Sequence, residues 1–162
     1  MSFCPKWLYE VACASAAAEY LGRQIDLKTV ASVYAGTLSE FYSPISAEEV
    51  AGVIEPMLRF LDELNAGDIA APLITGFCYY RVTYDQPNKP RKMKGFFGAA
   101  DEPVKTKDYS SDSAVTSFKA YVYAIRNEVA EMAPAGWNRT DIEGSEVIKK
   151  LSEQSFNPLD FI

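Results

Sequence analysis

Spacing of apolar positions divides the chain into helical stretches separated by polar breaks that carry proline and glycine. In residues 6–21, Trp7, Val11, Ala18 and Leu21 recur near one face, and Gly22 follows as a stop signal. This first stretch is rich in alanine, which suits close packing. Asp26 stands where an N-cap belongs ahead of residues 27–42, whose Leu27, Val30, Tyr34, Leu38 and Phe41 lie three or four apart before Pro44 closes the element. Ser46 and Glu49 have the spacing of a capping box ahead of Val50, Val53, Ile54, Met57, Leu58, Leu61 and Leu64. Pro56 falls inside this third stretch and predicts a kink or a division, because proline lacks the N–H and its ring crowds the preceding turn.

The segment "IAAPLITGFCYYRVTYD" is apolar nearly throughout, which predicts burial but separates helix from strand poorly. We read it as a helix that gives way to extended chain near Tyr80. Residues 86–109, "QPNKPRKMKGFFGAADEPVKTKDY", hold no sustained period and predict a long loop, of the kind that is functional or disordered in compact domains. A helix is then predicted over 111–133, with Val115, Phe118, Val122, Ile125, Val129 and Met132 forming the seam of a packed bundle. A short helix over 145–154 precedes a tail, "SFNPLDFI", whose aromatics suit a neighbour's surface. The sum is one all-α domain over residues 1–162: an antiparallel four-helix bundle with a long basic loop at one end and a short C-terminal helix.

Composition narrows the chemistry. The 162 residues are 48% hydrophobic, enough for one core that buries roughly two-thirds of the unfolded surface. Cys4, Cys13 and Cys78 are odd in number and widely spaced, which indicates neither a disulfide framework nor a zinc site. Histidine is absent, removing the commonest general base and metal ligand, and no phosphate-binding, nucleophile-elbow or zincin motif occurs. We therefore expect no enzyme, no catalytic residue, no metal and no cofactor. No basic leader with an apolar run opens the chain and no run of 18 apolar residues crosses it, so no membrane partner is expected.

The net charge of -6 hides an asymmetry. Arg81, Lys89, Arg91, Lys92, Lys94, Lys105 and Lys107 stand against Asp85, Asp101 and Glu102, a local balance of +4 that leaves -10 on the remainder. Such a segment is either a solvated loop, as most charge runs are, or a surface for phosphate or for an acidic face of another copy.

Five stretches, in order, bear a resemblance. "YLGRQI" is similar to the Leu-Gly-Asn-Gln-Phe of tobamovirus coat proteins, "LSEFYSP" to their Phe-Ser-Glu-Val-Trp-Lys-Pro, and "APLITGF" to their Asp-Pro-Leu-Ile-Thr. "SDSAVTSFKAYV" sits where that family begins a helix with Asp-Asp-Ala-Thr-Val-Ala-Ile-Arg, and "GWNRTDIE" resembles its Gly-x-aromatic-Asn-Arg-Ser-x-x-Glu. The resemblance covers about residues 19–143. It departs at "SAEEVAGVIEPMLRFLDELNAGD", helical where the family has strand-like sequence, and at "FCYYRVTYDQPNKPRK", which replaces a Phe-Asp-Thr-Arg-Asn-Arg signature. A distant member, from a rod-shaped plant RNA virus, is the implied relationship.

The resemblance implies a capsid protein of the virion, made in the host cytoplasm, that self-assembles into a helical particle and packages single-stranded RNA without reading its sequence. Its implied RNA contacts are Arg81, Lys89, Arg91, Lys92 and Lys94, together with Asp112 and Ser113 at a helix N-terminus where backbone N–H groups donate to phosphate oxygens. An N-cap is the plain alternative for Asp112, and the one that the residue type favours. Glu40 matches an acid that faces another acid across subunits in the family, whose mutual repulsion favours disassembly; the usual partner position is Ala71, leaving Asp68 as the substitute. Glu40 as a solvated helix acid is the plain alternative. Trp137, Arg139 and Glu143 are read as a structural anchor, with Arg139 turned back onto acids and Trp137 over the core. The rival function is a small acidic helical adaptor that binds a protein partner.

Overall fold

The computed structural model describes residues 2–23, 25–83 and 105–129. Among these the regular structure is all-helical and no strand occurs: α1 (Lys6–Arg23), α2 (Leu27–Phe41), α3 (Ala47–Glu63), a 3-10 turn (Gly67–Ile69), α4 (Ala70–Thr83) and α5 (Ser111–Val129). The predicted helix over 145–154 and the end of the 111–133 helix lie outside the described residues.

Local chemistry accounts for most boundaries. Thr29 N–H donates to Asp26 Oδ2 at 3.2 Å, which starts α2, and the Tyr42 N–H donates back to Leu38 O where the chain turns extended. Glu49 N–H donates to Ser46 Oγ at 3.0 Å, and Glu48 and Glu49 favour the positive end of α3. Asn65, at φ 56°, ends α3 by entering the left-handed region that asparagine tolerates.

The division offered at Pro56 and the change to extended chain near Tyr80 are corrected. Helix α3 passes through Pro56 undivided. Val53, Ile54, Met57, Phe60 and Leu61 are buried on both sides of the proline. At about 1.5–3 kcal/mol for each buried side chain, their burial outweighs the roughly 3 kcal/mol penalty of an interior proline. Helix α4 continues past Tyr80 to Thr83 because Arg81 and Val82 are themselves buried, and Pro72 sits harmlessly in its first turn.

Helix α1 lies at the centre and touches α2, α3, α4 and α5, with its most extensive interface against α4. Leu8, Tyr9, Val11, Ala12, Cys13, Ala14, Ala16 and Ala17 are all buried, so this helix has no single seam. Its small side chains let neighbours approach from every side, and Leu21, assigned to the seam by spacing, stands exposed at its end. Helices α1 and α4 run antiparallel, since Glu10 meets Arg81 while Val11 O and Ser15 Oγ meet Cys78 Sγ. Helices α3 and α5 run in the same direction, with Glu49 and Gly52 beside Ser111 and Phe60 beside Phe118 and Tyr123. That pair departs from the expected antiparallel order, because the connection before α5 returns the chain to the start of α3. Phe118 anchors this side of the core, its ring edge-on to Phe77 at 5.4 Å and to Phe60 at 6.3 Å.

Candidate functional site

One end of the helix array collects charged and aromatic groups from four directions. Tyr9 and Glu10, in the first turns of α1, are fully buried there. Arg81, in the last turn of α4, sets its Nε 3.1 Å from Glu10 Oε1, and Tyr109, two residues before α5, stacks on Tyr9 at a centroid distance of 4.3 Å. The chain therefore leaves α4 and returns to α5 against two consecutive residues of one helix.

Glu10 is the electrostatic centre of this end. Burial pushes its carboxyl up from the ordinary range, while Arg81, the Ser117 hydroxyl and Lys6 favour the charged form and Asp108 opposes it. Desolvation is the largest of these effects. A second polar contact lies next to it. Lys107 Nζ stands 3.7 Å from Glu49 Oε2 and 5.2 Å from the centre of the Tyr109 ring, and Ser111 Oγ donates to Glu49 O at 3.3 Å. The hydroxyl of Tyr9 faces Ser111 and Glu49 without an aligned hydrogen bond, and burial above all pushes its pKa up.

The start of α5 is capped by Ser110. Ser113 N–H donates to Ser110 Oγ at 3.0 Å, and Ser110 N–H donates to Ser113 Oγ at 2.9 Å, a reciprocal pair. Asp112 is exposed in the first turn and is not the cap, because the chain turns helical two residues earlier than an Asp112 cap requires. Ser113 is thus held by its own helix start.

The predicted site residues divide accordingly. Arg81, Asp112 and Ser113 come to the same end, but Arg81 faces inward with only 10% of its side chain exposed. It is placed as the partner of Glu10. Glu40 is exposed in the last turn of α2, and Asp68 belongs to the 3-10 turn after α3. Lys89, Arg91, Lys92 and Lys94, and the anchor Trp137, Arg139 and Glu143, lie outside the described residues. The spacing of apolar positions does not single out Glu10. The available signal was the absence of any other charge between Lys6 and Glu19, which marks a helix without a solvated face.

Cys4, Cys13 and Cys78 are buried free thiols, and burial pushes Cys78 up to about 12. Among the described residues, no group of three or more Cys, Asp or Glu side chains is arranged to hold a metal ion, and no helix is long and apolar enough to cross a membrane. No protein family, curated protein or solved structure matches the chain.

Proposed function

We propose that this chain is a coat-type subunit that self-assembles into a helical particle and packages single-stranded RNA through phosphate contacts that do not read sequence. The observation that carries the reading is the convergence of Arg81 on Glu10 and of Tyr109 and Ser111 on Tyr9, with Lys107 over the Tyr109 ring. Both flanks of the cation-rich segment stand at one end of the helix array, where a polyanion would meet its charges together. The resemblance adds order to this. "YLGRQI" falls at the end of α1, "LSEFYSP" at the end of α2, "APLITGF" at the start of α4 and "SDSAVTSFKAYV" at the start of α5. In this reading α1, α2, α4 and α5 supply the four-helix bundle of the coat type, and α3 replaces strands.

Lys89, Arg91, Lys92 and Lys94 neutralise phosphates, while Arg81 braces the exit of α4 from inside. Lys105, exposed just before α5, adds to the charge at that end. Electron microscopy at mildly acidic to neutral pH, with and without single-stranded RNA, tests assembly. Discs, rods or filaments are expected. Changing Lys89, Arg91, Lys92 and Lys94 to Gln should flatten the salt dependence of RNA affinity, where each neutralised phosphate contributes a slope of about -0.7. Small monodisperse particles that bind no RNA at low salt would sink the reading and leave a protein-binding adaptor in its place.

A further inference from the structure

The outward face of α2 lacks what a solvated helix face normally carries. Val33 and Phe41, each 54% exposed, are the most open large apolar side chains among the described residues. Thr29, Ser32 and Gly36 are exposed beside Val33, and from Thr29 to Ser39 the helix bears no charge. The threonine hydroxyls are satisfied locally: Thr29 Oγ1 donates to Asp26 Oδ2 at 3.3 Å and Thr37 Oγ1 donates to Val33 O at 3.0 Å. A Cβ placed on Gly36 would meet nothing within 4 Å, so the chain itself leaves the middle of this face open.

Charge on α2 is confined to its two ends, Lys28 in the first turn and Glu40 in the last, both exposed. They stand about 18 Å apart along the axis at the rise of an α-helix. This arrangement is self-complementary in one orientation only. Two parallel copies of α2 would set lysine against lysine and glutamate against glutamate. Two antiparallel copies would set each Lys28 against a Glu40, with Ser32, Val33 and Gly36 between them where the backbones approach.

We infer that the outer face of α2 is a contact between two copies of this chain, related by a twofold axis, with α2 antiparallel to α2 and Lys28 opposite Glu40 of the partner subunit. The inference rests on the self-association in the reading above and is independent of RNA. A twofold contact closes at two copies, so the dimer is the unit and any filament grows through a second surface. Glu40 thereby acquires a cationic partner rather than a second acid. The two assignments predict opposite signs for one substitution.

Sedimentation velocity of the full chain over a concentration series, at neutral pH and low salt, decides the matter. Val33→Asp should weaken the dimer at least tenfold, since it places two carboxylates near the axis. Lys28→Glu alone and Glu40→Lys alone should each weaken it about tenfold, because a change at one position converts two attractions into two repulsions. The double variant Lys28→Glu/Glu40→Lys should restore the dimer to within about threefold, as the pairs re-form with their signs exchanged. Glu40→Gln should weaken the dimer; a strengthened one would mean that Glu40 faces an acid and would overturn the inference. Failure of the double variant to restore association, or indifference to Val33→Asp, would overturn it too. Those results would leave assembly through another face intact. A wild-type chain that stays monomeric at every concentration would remove both the inference and the coat-type reading. Circular dichroism of each variant checks that helix content is kept, which exposed positions favour.

Discussion

Glu10→Ala gives the sharpest test of the interior described here. The carboxylate is fully buried and its closest cation, Arg81, has 10% of its side chain exposed. Removing the carboxylate takes from a nearly buried guanidinium the counter-charge that Glu10 supplies, a change that costs about 3–5 kcal/mol in buried pairs. Against a total stability of about 5–15 kcal/mol, that is a large fraction. Urea denaturation followed by far-ultraviolet circular dichroism measures it, provided the dependence on urea is unchanged between variants. The double variant Glu10→Leu/Arg81→Met supplies the contrast. It keeps approximate volume while removing both charges, and is expected to lie near wild type or above it by about 1–4 kcal/mol. A Glu10→Ala loss below about 1 kcal/mol, the range of exposed pairs, would refute the placement of this pair in the core.

The same residue predicts a pH dependence of known sign. Burial raises the Glu10 pKa in the folded state above its unfolded value, so between the two values the folded chain holds the proton and the unfolded chain has lost it. Stability from this group is present below the ordinary carboxylate pKa and is lost as pH rises through the folded value. The difference between wild type and Glu10→Gln should therefore shift against wild type with rising pH across that window and level off above it.

Three further outcomes follow from other parts of the fold. Phe118→Ala removes a fully buried ring that touches Phe60 and Phe77, and should cost about 3–5 kcal/mol in the same urea assay. Ser110→Ala removes one half of the reciprocal cap on α5 and should cost about 1 kcal/mol, while Asp112→Ala, at an exposed position that is not the cap, should cost measurably less. Ellman's reagent should label Cys4, Cys13 and Cys78 only as fast as the chain opens, since all three are buried and their thiolates disfavoured; stoichiometric labelling of the native protein within seconds would contradict the packing around α1.

Much of the secondary structure was legible from the chain alone, because caps and apolar spacing act over a few residues. Asp26 and Ser46 mark helix starts through bonds to N–H groups three residues on, and such bonds need no tertiary context. Glycine, proline and polar breaks separated the elements for the same reason. What spacing misjudged were decisions made by burial from several sides. Pro56 predicts a kink or a division by local geometry, and the apolar face around it keeps α3 undivided. Tyr80 predicts a change to extended chain, yet α4 continues because α1 covers Cys78 and Arg81.

The candidate site divides along the same line. Sequence by itself determined the all-helical class, the positions of the cation-rich segment and the absence of histidine chemistry, since each is a property of local pattern or composition. Only the tertiary structure decided that Glu10 lies inside, that Arg81 turns to meet it, and that Tyr109 returns the chain onto Tyr9. Charge runs register in a sequence as numbers without direction. Whether a guanidinium faces water or a buried carboxylate depends on which helix packs beside it, and α1 and α4 are brought together by a fold that no stretch of either helix specifies alone.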